Sequence, residues 1–525
     1  MSAILSAEAL NDFIAPSVAC IKPVESLPPP PPPSNDLTVA REDTLPAAQT
    51  AQTAAQISLT DCLACSGCVT SSEAVLVQLQ SHTEVLNSLE QYPNRRFLAV
   101  VSPQTRAALA VALGMREKEA GNIVSRLLTT VGFEAVVDEG VFWGVEHWFA
   151  SREVMEEAST DGPKKPILAS SCPGFICYLE STHPELIPHL SALKSPQAIA
   201  GTFLKALLIG EGKAKSPEDV YVVGVMPCFD KKLEGARGEL TSSAWRDESS
   251  EETPVRDIDC VITTRELLSL AEIKGINVRS LSREPVPTPQ LSTDPTIQAF
   301  LSVATTNPQN TGTSGGNLSA ILRSLLQQHP EATLQIQQGR NIDTVDYLLS
   351  SASGDVIAKF TRCYGFRNIQ NLVRRLKPTR PKALPQFGKK PAAPAAGRRA
   401  VKRAGEARDE RQVYVEVMAC PGGCTNGGGQ IKYDDEVLWK ELGLEKWGSQ
   451  RELLAKVDEA YFSSDEGEKG EEGEVRKVLD AWIRITGVAE EKLVKTTYRK
   501  VANDIGGRLG EKEVLEIASR TGGGW

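Results

Sequence analysis

From residue 95 onward, short unbroken apolar runs alternate with stretches in which apolar positions recur every three or four residues. Residues 97–101 read as a strand, and 105–115 and 123–131 as helices. Strand–helix alternation of this kind belongs to layered α/β folds. Ahead of residue 95 the pattern is missing. Six prolines at 28–33 open a polar stretch lasting to about residue 59, a semi-rigid spacer followed by a flexible one. The Ser- and Glu-rich stretch 241–254 and the Pro-, Ala-, Lys- and Arg-rich stretch 377–411 read as surface insertions. The acidic run 463–474 is of the same kind, and a helical tail follows it. For 525 residues, about three domains or lobes are expected. The layout is an amino-terminal cysteine region with a proline-rich linker (1–94), the main part of an α/β domain (95–376), a basic linker (377–411), and a last cysteine loop with the tail (412–525).

Three apolar runs end in cysteines. Residues 166–170 lead into Ser171-Cys172-Pro173-Gly174, and 220–225 into Met226-Pro227-Cys228. Residues 413–417 lead into Met418-Ala419-Cys420-Pro421-Gly422-Gly423-Cys424 and then Thr425-Asn426-Gly427-Gly428-Gly429-Gln430. In α/β sheets, ligands bind in the crevice outside the carboxyl ends of strands, so three such ends can deliver four thiolates to one place. Proline and glycine beside each cysteine let the backbone turn sharply and come close to a bulky inorganic centre. A structural zinc site remains open at this level, although zinc sites usually draw on two paired knuckles rather than on ligands from separate strands.

Composition narrows the classes. With 41% hydrophobic and 24% charged residues the chain is an ordinary globular protein, and a net charge of −9 argues against a nucleic-acid surface. No apolar run reaches the ~20 residues that span a bilayer, and Glu8 and Asp12 stand where a signal peptide is basic. The expected location is cytoplasmic, with the nucleus also compatible. Thiols there are kept reduced, so the eleven cysteines, an odd number, point to metal ligation where they cluster. Cys177, Cys260 and Cys363 read instead as buried packing residues. His82, His147, His183, His189 and His329 show no metal-ligand spacing and read as surface or satisfied polar groups. Trp143 and Trp148 read as core or interface positions on a helix.

The three cysteine loops resemble the signature loops of iron-only hydrogenases, in that family's order. Ser170 to Phe175, Met226 to Glu234 and Met418 to Cys424 carry the match. Asp257 to Leu267, Gly312-Thr313-Ser314-Gly315-Gly316 and Ser195-Pro196-Gln197 add to it, over roughly residues 95 to 435. The resemblance implies a two-lobed domain, each lobe a small twisted sheet flanked by helices. Cys172, Cys228, Cys420 and Cys424 would then hold a [4Fe–4S] cluster in the cleft between the lobes.

The same resemblance implies that hydrogen chemistry is lost. Active enzymes of the family carry a proton-relaying cysteine where this chain has Ser171, and a serine hydroxyl is far less acidic than a thiol of pKa ~8.5. Phe229 and Asp230 replace small, mostly uncharged residues, and Gln430-Ile431 stands where proline is usual, whereas Lys231 and Glu234 match. Upstream, Cys20 within Asp12 to Pro23 precedes Cys62-Leu63-Ala64-Cys65-Ser66-Gly67-Cys68. A C-x2-C-x2-C run with a distant fourth cysteine is the pattern of ferredoxin-like modules, in which three ligands on one tight loop cap three corners of a cubane, so an N-terminal ferredoxin-like cluster-binding region is expected. This arrangement is similar to the eukaryotic hydrogenase-like cytosolic iron–sulfur assembly factors, whose relatives include a nuclear prelamin-recognition protein. It implies a second [4Fe–4S] cluster on Cys20, Cys62, Cys65 and Cys68. The implied function is transfer of clusters from a cytosolic scaffold to a targeting complex and apoproteins, without enzymatic turnover, nucleic acid or membrane. A redox enzyme of hydrogenase descent and a pure interaction protein are the rival classes. Trp525, after three glycines, is the expected docking residue for the targeting complex, since aromatic anchors dominate interface energy.

Overall fold

The chain was analysed as a computed structural model, which describes residues 79–159, 165–246, 253–302, 312–339, 341–377, 412–435, 448–462 and 472–500. Among them the apolar runs form β1 (Arg96–Val101), β2 (Ala135–Asp138), β3 (Ile167–Ala169), β4 (Val220–Met226), β5 (Cys260–Thr263), β6 (Thr333–Gln338), β7 (Thr344–Ser350), β8 (Val356–Tyr364) and β9 (Gln412–Met418). They make two sheets. The first, ordered β2-β1-β4-β5, is entirely parallel; the second, ordered β3-β9-β8-β7-β6, is parallel at β3-β9-β8 and antiparallel beyond. The expected architecture of two small sheets flanked by helices is therefore the observed one.

Alternation along the strands sends side chains to two cores per sheet. In β1, Phe97, Ala99 and Val101 face one helical layer and Leu98 and Val100 the other. In the second sheet, Val415 and Val417 pack with the helices Pro173–Thr182 and Phe366–Leu376, while Tyr414 and Phe360 pack with the helix Asn317–Gln328.

Strands fell within a residue or two of the expected ranges, but helices start earlier than periodicity suggested. The helix Pro103–Leu113 opens with proline at its first turn, capped by the Ser102 hydroxyl, which accepts from the Thr105 N–H. The next helix runs Glu117–Val131, beginning six residues before the expected 123. The stretch 241–254 is corrected more substantially. Its first part is no surface insertion, because Trp245 is buried and donates its indole N–H to Asp257 Oδ1 at 2.8 Å. The carboxy-terminal helices also belong to the body of the protein. Trp482, on the helix Glu472–Thr486, is fully buried, stacks on Phe203 with ring centroids 5.6 Å apart, and donates to the Phe203 carbonyl. Trp143 and Trp148 lie on the helix Gly140–Ser159, the first buried and the second packed beside the core. No helix among the described residues is long and apolar enough to cross a membrane. The 377–411 linker, beyond Lys377, lies outside the described residues.

Candidate metal centre

Cys172, Cys228, Cys420 and Cys424 leave the carboxyl ends of β3, β4 and β9, and the topology brings those ends together. β3 and β9 are parallel neighbours, with Ala169 opposite Glu416, so Cys172 and Cys420 depart side by side. β4 belongs to the other sheet. The loop after β9 crosses to it, where the Gly429 N–H donates to the Pro227 carbonyl at 3.0 Å, next to Cys228. Gln430 fixes the crossing further: its amide donates to the Gln104 carbonyl at 3.0 Å and its Oε1 accepts from Thr264 Oγ1 at 2.6 Å.

The glycines make these approaches possible. A Cβ on Gly427 would stand 2.3 Å from the Pro227 carbonyl oxygen, and one on Gly423, where φ is +99°, 2.0 Å from Thr313 Oγ1. Both the fold and the glycines thus hold the loop from one sheet tight against the loop from the other.

The thiols are enclosed and feel one another. Burial pushes the Cys172 thiol up to about 12, aided by Asp230 and Cys424, while N–H groups of Ala419 and Phe175 oppose the rise. Burial likewise raises Cys228 and Cys420 well above the ordinary thiol range, with Asp230 and neighbouring cysteines adding to it. Cys424 is raised less, because the Ser314 hydroxyl hydrogen-bonds to it. Without a cationic centre these four groups therefore stay protonated at neutral pH; metal binding displaces those protons.

Several groups around the thiols carry no periodic signal in sequence. Ser171 donates to Glu146 Oε1 at 2.9 Å, and burial lifts both Glu146 and Glu139 to about 7. Glu146 is a lone carboxylate in the apolar part of its helix, and that isolation is the sequence signal that marks it. Lys231 donates to Glu234 Oε2 and Ser195 Oγ, both at 2.9 Å, and Gln197 donates to the same Glu234 oxygen at 3.0 Å. Phe229 lies 5.5 Å from the Lys232 ammonium, whereas Asp230 is the neighbour that faces Gly174 and Cys172.

Among the described residues no three His, Cys, Asp or Glu side chains are set closely enough to chelate a single ion. In a cubane each thiolate holds its own iron, so the ligands need not converge on one point. Two buried thiols, Cys172 and Cys420, and two half-buried ones, Cys228 and Cys424, on glycine-lined loops thus fit a multi-iron group better than zinc. Cys260 and Cys363 are buried as expected; Cys177 is not, lying half-exposed on the helix that follows Cys172. Of the histidines, His147 bonds to the Gly315 carbonyl, His183 to Tyr178 and His189 to the Pro166 carbonyl. His82 departs from the satisfied role, its buried Nδ1 having no hydrogen-bond partner. Cys20, Cys62, Cys65, Cys68 and Trp525 lie outside the described residues.

The family described as iron only hydrogenase large subunit, C-terminal domain, matches residues 95–428. Two curated relatives, each named a cytosolic Fe-S cluster assembly factor NAR1, come from Botryotinia fuckeliana and Penicillium rubens. Each is 44% identical, with the whole of both chains covered. The chain belongs to the iron-only hydrogenase-like family of cytosolic Fe–S cluster assembly factors. Among solved structures it is similar to the apo [FeFe]-hydrogenase HydA1 of Chlamydomonas reinhardtii. That likeness has a TM-score of 0.55 at 22% identity, covers 80% of this chain and 99% of that one, and speaks to the fold alone. Membership in this family is consistent with a chain that keeps the cysteine loops while placing Ser171, Phe229 and Asp230 among them.

Proposed function

We propose that this protein is a cytosolic iron–sulfur cluster assembly factor that carries two [4Fe–4S] clusters and passes clusters from a scaffold toward a targeting complex and apoproteins. The observation that carries the reading is full-length kinship with relatives named as such assembly factors, in a chain whose strand ends bring four cysteines together. Cys172, Cys228, Cys420 and Cys424 would hold one cluster; Cys20, Cys62, Cys65 and Cys68 the other. When bound, such a group supplies iron sites at which thiolate ligands exchange. The chain's own part is to present four thiolates from two lobes, to shield them from water by burial, and to donate backbone N–H groups to Cys172 at the start of its helix. Ser171 bonds to a carboxylate and offers no thiol for proton exchange, which weighs against hydrogenase activity.

Iron and sulfide analysis with electron paramagnetic resonance on anaerobically purified protein, followed by transfer to an apo-acceptor, tests the reading. Cys65→Ala is expected to remove roughly half of the iron and leave the other centre's signal. Stoichiometric zinc in place of iron in aerobic and anaerobic preparations alike would refute it. Trp525 is the proposed anchor on the targeting complex, because aromatic side chains dominate binding energy at protein interfaces. Its deletion should weaken binding to that complex in a direct titration at unchanged iron content, and equal affinity would sink the docking role.

A further inference from the structure

We propose that Asp230 tunes the reduction potential of the group held by Cys172, Cys228, Cys420 and Cys424, placing a fixed negative charge against it that disfavours one-electron reduction. The inference rests on the cluster reading above and goes beyond it, because it bears on whether the centre works as an electron carrier.

Asp230 is buried, 7% exposed, two residues after Cys228 and the first residue of the short helix Asp230–Gly235. Its carboxylate is turned to the neighbouring cysteine-bearing helix. A Cβ on Gly174 would stand 2.8 Å from Asp230 Oδ2 and 3.7 Å from Cys172 Sγ, so the carboxylate and that thiol flank the same glycine. The absent side chain at position 174 is what leaves room for it. The field of Asp230 also reaches Cys228 and Cys420. On the same helix Lys231 pairs with Glu234 Oε2 at 2.9 Å, and Asp230 has contacts of its own that hold its carboxylate in place. A first-turn acid usually serves its helix dipole. Here the helix spans only six residues, and the side chain is buried beside Gly174 and Cys172 rather than turned to solvent.

An electron added to a tetrathiolate cubane raises its negative charge by one, with no bond made or broken. In a site shielded from water a carboxylate held nearby opposes that added charge far more than it would in bulk solvent. Asp230 therefore weights the centre toward its oxidised form and against the redox-enzyme alternative.

The test is a dithionite titration of the full-length, cluster-loaded protein at alkaline pH, where Glu139 and Glu146 are ionised throughout. Midpoints are read by visible bleaching and paramagnetic resonance, in a Cys65→Ala background that removes the second centre's signal. Asp230→Asn is expected to shift the reduction equilibrium at least about ten-fold toward the reduced form, a rise of about 59 mV for one electron. Asp230→Glu, which keeps the charge, should stay near the wild-type value. A midpoint is independent of occupancy, so partial iron loss in a variant leaves it readable. Unchanged midpoint in Asp230→Asn at normal cluster content overturns the role of Asp230 alone, as does an equal shift in Asp230→Glu. Absence of iron and sulfide from the wild type overturns the cluster reading and this inference together.

Discussion

Cys420→Ala protein is expected to melt on the order of 10 °C below cluster-loaded wild type, with cluster signal lost from the inter-lobe site. The four proposed ligands lie on three strand ends in two sheets and span roughly 250 residues of sequence. An unfolded chain has no such site, so binding free energy adds to folding free energy. Domains are stable by only about 5–15 kcal/mol, and losing even several kcal/mol is a large fraction of that. Cys420 is itself buried beside Met418 and Ala419. Calorimetry paired with iron analysis checks the expectation, and stripping iron from the wild type should lower its melting point to a similar degree. A variant that loses this cluster yet melts with the wild type would show the site to be energetically separate from the fold.

Gly427→Ala should be a strongly damaging single methyl in the chain's last cysteine loop, at about 2–3 kcal/mol of stability. Backbone conformation is not the reason, since φ −63° and ψ 149° at Gly427 suit any residue. The added Cβ would meet the Pro227 carbonyl oxygen at 2.3 Å and its carbon at 2.8 Å, and backbone atoms have little freedom to move aside. Relief requires the loop after Cys424 to retreat from the loop carrying Cys228, so iron content should fall along with stability. Gly238→Ala, where a Cβ meets nothing within 4 Å, is the control and should stay within about 0.5 kcal/mol of wild type. Chemical denaturation and iron assays on the three proteins decide it, and a Gly427→Ala protein as stable and as iron-rich as the control would mean that the two loops are not in close register.

The cysteine-bearing strands were legible because each is a largely apolar run, interrupted in the third by Glu416, that is broken by proline or glycine at the point where the backbone must turn. Helix starts were less so. Ser102 and Pro103 carry a cap and a first-turn proline that are readable, but an apolar-periodicity criterion begins counting only at the first buried face. β6, with the sequence TLQIQQ, is largely exposed, and a strand at a sheet edge has no need of the apolar alternation that reveals others. Trp245 was hidden by its polar neighbours; only its partner Asp257, twelve residues on, explains its burial. Asp230 is a charge out of place in the sequence, yet which of Asp230 and Phe229 faces the thiols depends on how the short helix is turned, and that is a tertiary property.

The path of the chain between the two sheets has a consequence for its synthesis. β1 and β2 lie in the first sheet, β3 in the second, β4 and β5 in the first again and β6 to β9 in the second, before the helices Gln450–Phe462 and Glu472–Thr486 return to the first lobe. Neither lobe can close while its neighbour is unfinished. Cys172 emerges from the ribosome well before Cys420, and the core that Trp482 completes comes later still, a delay on the order of half a minute at usual elongation rates. During that interval the early thiols belong to a growing polypeptide without the second pair, so the proposed inter-lobe centre would be loaded only once Cys420 and Cys424 are in place, and a chain truncated before Cys420 would lack two of its four cysteines.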